Sequence, residues 1–207
     1  MTGERRKRFS MIREFHVADW FTLGNAVCGA GAVFSSMTYL QSGDVARVYV
    51  ACLLILAGLV FDILDGRIAR WRQTSSAMGR ELDSLADVIS FGVAPAALAY
   101  ACGMQGIYDR LILVFFVACG VSRLARYNVT AEKLSEGTGK VKYFEGTPIP
   151  TSILLVGLLA LATSQDAIGP DLWFGVVYVA GYALHPLVLL FLLSGALMIS
   201  RIRIPKL

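Results

Sequence analysis

Six apolar stretches separated by polar or charged connections constrain this chain more than any other feature. They are Trp20–Leu40, Arg47–Leu64, Val88–Gly103, Ile107–Leu124, Thr151–Thr163 and Leu172–Ile199. About 20 mostly apolar residues carry an α-helix across a bilayer. The chain is 56% hydrophobic with a mean hydropathy of +0.63, too apolar for an ordinary soluble domain. The expected fold class is therefore an all-α integral membrane protein with six transmembrane helices. The fifth stretch is short unless it extends through Pro150, and the sixth is long enough to tilt or to kink at Pro186.

Charge placement sets the expected orientation. Of the 19 Lys and Arg residues, only Arg47 and Arg110 fall near one side of the six stretches. The rest flank the other side: Arg5 to Arg13, Arg67 to Arg80, Arg123 to Lys142 and Arg201 to Lys206. The positive-inside rule places that side, with both termini, in the cytoplasm. The even helix count requires the same arrangement. The net charge of +4 suits this topology and a membrane with anionic headgroups, and it argues against nucleic acid as a partner. The N-terminal ERRKRFSMIREFHV sets Phe9, Ile12 and Phe15 at three-residue spacing among basic residues, the pattern of an amphipathic helix lying on the inner leaflet. Two parts follow: residues 1–19 as a cytoplasmic amphipathic segment and residues 20–207 as the membrane domain.

Chemistry concentrates between the second and third stretches. The segment DILDGRIARWRQTSSAMGRELDSLAD carries Asp62, Asp65, Asp83 and Asp87 at fixed intervals. On helices, Asp62 and Asp65 share one face, and Asp83 and Asp87 share another. Gly66, Ala69 and Gly79 leave room beside the carboxylates for a flat base and a diphosphate. Arg70 can neutralise phosphate charge. Facing carboxylate pairs repel one another without a cation, and oxygen-only ligands suit Mg²⁺ or Mn²⁺. Two such ions could clamp an in-line phosphoryl displacement. For any one aspartate, a helix-end ion pair with Arg67, Arg70, Arg72 or Arg80 is the simpler account; four on one template with two glycines, Ala69 and Arg70 are not explained that way.

The spacing D-x2-D-G-x2-A-R-x8-G-x3-D-x3-D resembles the signature of the CDP-alcohol phosphotransferase family at every position. The resemblance implies a six-helix membrane enzyme, usually a homodimer, that moves a substituted phosphate from a CDP-linked donor to an alcohol. It implies that Asp62, Asp65 and Asp83 are metal ligands and that Asp87 is a metal-associated general base. It further implies that Gly66, Ala69, Arg70 and Gly79, with Asp62, shape the CDP pocket. FTLGNAVCG, GRELDSLADVISFGVAP, SRLARYN, EGTPIP and SRIRIPK resemble the branch of that family whose acceptor is serine. CDP-diacylglycerol and L-serine are then the implied substrates, with a CDP-activated ether lipid as the donor in an archaeal relative.

Serine brings a carboxylate that needs a cation. Arg123 and Arg126 at the end of the fourth stretch can supply one, with Asn128 and Thr147 as polar partners. The alternatives are positive-inside anchoring for the arginines and helix capping for Asn128 and Thr147. Asn25 contacts nucleotide or diphosphate, or bonds another helix. Glycerol phosphate, inositol phosphate or choline are alternative acceptors. A cation or proton transporter is the alternative from another class, but it expects ionisable residues spread through the membrane rather than gathered at one side. Cys28, Cys52, Cys102 and Cys119 read as packing thiols, and His185 as a helix-packing partner. Gly24, Cys28 and Ala32 at four-residue spacing could pack helices between two copies or within one.

Overall fold

The computed structural model describes residues 17–72, 77–135, 143–200 and 203–205. Residues 1–16, which hold most of the expected interfacial helix, lie outside the described residues. The chain opens with helix α1 (Val17–Ser42) and returns in α2 (Ala46–Arg72). Gly43 adopts φ +69° to close α1. Asp44 accepts the Ala46 N–H at 3.0 Å and pairs with Arg47 at 3.3 Å, which caps the start of α2.

A continuous helical run follows, in three parts. Helix α3 (Ala77–Asp87) passes into a π-helical turn at Val88–Val93 and then into α4 (Ala94–Ala101). Helix α5 spans Ile107–Ser135. A 3-10 turn at Ile149–Ser152 leads into α6 (Ile153–Ser164), and another at Pro186–Val188 leads into α7 (Leu189–Ile199). Two ribbons complete the fold. Strand β1 (Tyr143–Glu145) pairs antiparallel with β4 (Arg203–Pro205), and β2 (Val177–Val179) pairs with β3 (Tyr182–Leu184).

Val17–Ser42, Ala46–Ile68 and Met78–Ala101 are long and apolar enough to cross a membrane, and Ile149–Ser164 and Pro186–Ile199 are shorter apolar helices. The protein is a mostly helical membrane protein. Its surface is correspondingly apolar: Val27, Phe34, Leu53 and Leu154 stand outward. Small residues set the inner contacts, because helices in lipid gain from close approach rather than from expelling water. A side chain at Gly29 would collide with Ser90 of the π turn, and one at Gly31 would meet Leu54 of α2. Gly24 lies against Phe61 of α2, so this face of α1 packs within the chain. Larger residues fill the other side, where Phe116 of α5 and Phe191 of α7 meet edge to face at 5.3 Å.

Three differences from the sequence expectation bear on the site. The third run begins at Ala77 rather than Val88, which puts Asp83 and Asp87 on the helix itself. The fourth continues to Ser135, well past Leu124. The sixth is not one helix: Leu172–Ile199 divides into an irregular segment, the β2–β3 hairpin and α7. The hairpin is built from β-branched and aromatic residues, and its turn puts Ala180 at φ +50° and Gly181 at φ +82°, the paired left-handed conformation of a tight hairpin. The two ribbons also make the fold less than strictly all-α.

Candidate active site

The C-terminal half of α2 and the end of α3 bring three of the four aspartates together. Asp62, Asp83 and Asp87 each offer a carboxylate oxygen, and these oxygens lie within 4.8 Å of one another. Asp83 and Asp87 are one helical turn apart, so one face of α3 presents both. Asp65 is buried beside them, but its Oδ2 accepts a hydrogen bond from Thr22 Oγ1 of α1 at 2.9 Å. Thr22 fixes that carboxylate against α1.

Helix α1 contributes a second contact. Asn25 is fully buried, and its Nδ2 donates to Asp87 Oδ1 at 3.2 Å. Its main-chain carbonyl accepts from Ser90 Oγ at 2.8 Å. Asn25 thus joins α1 to both the aspartate-bearing end of α3 and the π turn that follows. A π turn adds one residue to a helical circuit, and here it lies between Asp87 and the regular helix α4. Gly58 of α2 closes the same junction, because a Cβ there would lie 2.9 Å from Asn25 Oδ1.

Several buried polar atoms have no partner among the described residues: Asp83 Oδ1, Asn25 Oδ1, Arg123 Nε, Thr147 Oγ1 and Ser152 Oγ. An unsatisfied buried polar group costs roughly 1–3 kcal/mol, and the Asp83 and Asn25 oxygens, which lie at the aspartate cluster, leave room there for a polar ligand. Arg123 lies close enough to Asp87 to feel its charge. Arg126 is exposed. Asn128 spends its amide elsewhere, donating to Ser84 Oγ at 3.0 Å and Glu81 Oε1 at 3.3 Å, and so ties α5 to α3. Thr147 follows Gly146, which takes φ +75° and is packed against the Met198 carbonyl of α7. The Thr147 N–H donates to Leu197 O at 3.3 Å.

On α2, no atom of the described residues lies within 4 Å of where a Gly66 Cβ would project. Ala69 and Arg70 lie in its last turn, but their side chains are outside the described ones. Gly79 is one turn before Asp83 on α3. Two polar contributors escaped the sequence reading: Thr22 and Ser90. Thr22 was the more accessible of them, since it lies three residues before Asn25 and therefore on the same face of α1.

The donor set is oxygen-only, three carboxylates converge, and one buried carboxylate oxygen of Asp83 has no partner among the described residues. That combination fits a hard divalent cation. In a helical membrane protein, such a set of carboxylates suits divalent-metal chemistry on a phosphate-bearing lipid. Residues 15–197 match the family model described as CDP-alcohol phosphatidyltransferase, and the chain belongs to that family. It is similar to the CDP-diacylglycerol–serine O-phosphatidyltransferase of Saccharomyces cerevisiae, with 46% identity over 96% of this chain and 73% of that protein. A Helicobacter pylori protein of the same name (strain ATCC 700392 / 26695) is 35% identical over 90% of this chain and 70% of its own length. The archaetidylserine synthase of Methanothermobacter thermautotrophicus is 34% identical over 70% of this chain and 60% of that protein.

Proposed function

We propose that this protein transfers the phosphatidyl group of CDP-diacylglycerol to the hydroxyl of L-serine, giving phosphatidylserine and CMP. The convergence of Asp62, Asp83 and Asp87 beside the Asn25 amide is the observation that carries the reading. The names of the relatives support serine as the acceptor. Asp62, Asp65, Asp83 and Asp87 would hold one or two Mg²⁺ or Mn²⁺ ions, which when bound supply charge neutralisation for the diphosphate and the departing CMP.

The remaining roles belong to the protein's own groups. Asp87 accepts the proton of the serine hydroxyl as that oxygen forms its bond to the phosphorus bearing the lipid. The bond from that phosphorus to the bridging oxygen breaks, and the electron pair leaves with CMP. Asn25 holds the Asp87 carboxylate in place through its 3.2 Å hydrogen bond. Arg123 faces the serine carboxylate, and Thr147 hydrogen-bonds the ammonium or carboxylate. Asn128 acts from behind by fixing α3 against α5. Gly66, Ala69, Arg70 and Gly79 admit the CDP head, while the lipid tails stay in the bilayer. The basic flanks put the site and both termini on the cytoplasmic side. The protein works as a homodimer in this reading, as the family resemblance implies.

The test is product identification. Purified protein in nanodiscs is given CDP-diacylglycerol, Mg²⁺ or Mn²⁺, and a panel of L-serine, glycerol phosphate, inositol phosphate and choline. Phosphatidylserine and CMP should form in equal amounts with serine, and EDTA should stop both. Turnover with another alcohol and none with serine would refute the assignment.

A further inference from the structure

We propose that the β2–β3 hairpin is a membrane-docking element that seats in the headgroup region of the leaflet opposite the aspartate site. Its partner is the lipid surface itself.

Helix lengths make the first argument. The run into α7 is a 3-residue 3-10 turn followed by 11 residues of α-helix, roughly 22 Å in all at the usual rises. A hydrocarbon core is about 30 Å thick. Helix α7 ends beside Thr147, and Ile149, two residues on, lies against Gly92 of the π turn that follows Asp87 and Gly120 of α5, so the missing length falls at the N-terminal end of α7. The hairpin occupies that end. Its β3 strand packs at the start of α5, where Tyr182 meets Tyr108 edge to face at 6.2 Å. The start of α5 is separated from Asp87 by the length of the π turn and α4.

Composition makes the second argument. From Leu172 to Ser200 the chain has no Asp, Glu, Lys or Arg. A two-stranded ribbon standing in water with both faces apolar would be costly. Yet Phe174 and Tyr178 are 75% and 73% exposed, and Val177, Val179 and Tyr182 are exposed with them. Hydrocarbon is excluded as the destination for the ribbon's open edges, because their backbone groups would have no partner there. The interface satisfies both demands, offering water to the edges and apolar contact to the faces, and it is where Tyr and Trp concentrate in membrane proteins.

Rigidity makes the third. The hairpin base is pinned by a fully buried carboxylate: Asp109 Oδ1 accepts the His185 N–H at 2.9 Å, and its Oδ2 contacts His185 Nδ1 at 2.6 Å. The same Oδ2 accepts the Gly106 N–H at 2.8 Å. A ribbon held this firmly keeps a fixed height relative to α5, as an interfacial anchor must.

The test places a fluorophore on the hairpin of the full-length protein in nanodiscs, which leave both faces open to solvent. Tyr178→Cys and, separately, Ala180→Cys are labelled with an environment-sensitive maleimide, with the labelled parent protein subtracted as the blank for its native cysteines. Phospholipids carrying a nitroxide in the headgroup or high on the acyl chain should remove most of the emission at both positions, and iodide should remove little. Quenching by iodide without quenching by the lipids would place the hairpin in water and overturn the proposal. Insensitivity to both, with disulfide cross-linking between copies of the unlabelled Tyr178→Cys variant and none between copies of the parent, would overturn it in favour of a protein–protein contact.

Discussion

The Asn25 side chain offers the sharpest perturbation of the site, because two substitutions there pull in predictable order. Its Nδ2 gives Asp87 Oδ1 a hydrogen bond of 3.2 Å in a fully buried setting. A hydrogen bond to a charged group contributes roughly 1.5–3 kcal/mol. Spent on holding the base, this corresponds to roughly a 10- to 150-fold loss of turnover in Asn25→Ala, at about 1.4 kcal/mol per factor of ten. The fold should survive, since the Ser90 hydroxyl bonds the main-chain carbonyl of Asn25 rather than its side chain. Asn25→Asp keeps the shape and adds a charge. Two unit charges 3.2 Å apart repel by about 5 kcal/mol at an effective dielectric near 20. Asn25→Asp should therefore be slower than Asn25→Ala, and raising the divalent cation concentration should recover part of its activity and none of the alanine variant's. The assay is CMP release in nanodiscs with both substrates saturating, alongside thermal unfolding. Near-normal turnover in Asn25→Ala, or an aspartate variant faster than the alanine one, would show that Asn25 does not position Asp87.

Gly58→Ala should reach the same site from α2, because its Cβ falls 2.9 Å from Asn25 Oδ1; overpacking costs about 1–3 kcal/mol, read as a lowered Tm together with reduced turnover. Asp87→Asn should lower turnover about 100-fold or more, the usual worth of a general base, while CDP-diacylglycerol binding measured by retention of labelled donor partly survives; an active Asp87→Asn would mean that another group takes the serine proton. Arg123→Lys should raise the serine KM about tenfold by replacing a planar fork with a point charge, with little change in the donor KM. Exposed Arg126→Lys should leave both within about twofold; if Arg126 rather than Arg123 controlled the serine KM, the acceptor pocket would lie further toward the C-terminal end of α5.

Much of this site was legible in the sequence because its chemistry is local. Asp62 and Asp65 lie on one helix, and Asp83 and Asp87 on another. Their spacings convert directly into shared faces. The parts that were not legible depend on tertiary contacts. Nothing near Thr22 announces that its hydroxyl will meet Asp65, 43 residues on. Asn128 looks like a substrate ligand beside two arginines, yet the crossing of α5 over α3 gives its amide to Glu81 and Ser84. The π turn leaves no mark on an apolar run, because Val88–Val93 is as hydrophobic as the regular helix it interrupts. The hairpin escaped for a related reason. Hydropathy cannot separate a charge-free ribbon from a charge-free helix, although Gly175, Gly181 and Pro186 punctuate Leu172–Ile199 and the β-branched run before Ala180 favours a strand. His185 reads as a packing residue in isolation; its partner Asp109 lies 76 residues earlier.

The central claim is that Asp62, Asp83 and Asp87 form a divalent-cation centre that holds the CDP head of the donor. Mn²⁺ binding followed by electron paramagnetic resonance tests it without relying on turnover. In the wild-type protein, the signal of free Mn²⁺ should fall saturably as protein is added, and CDP-diacylglycerol should tighten that binding. In the Asp62→Asn, Asp83→Asn, Asp87→Asn triple variant, folded by its thermal transition, the free signal should remain and the donor should no longer have any effect. Equal Mn²⁺ uptake by the two proteins, or donor binding that is indifferent to the metal, would contradict the account.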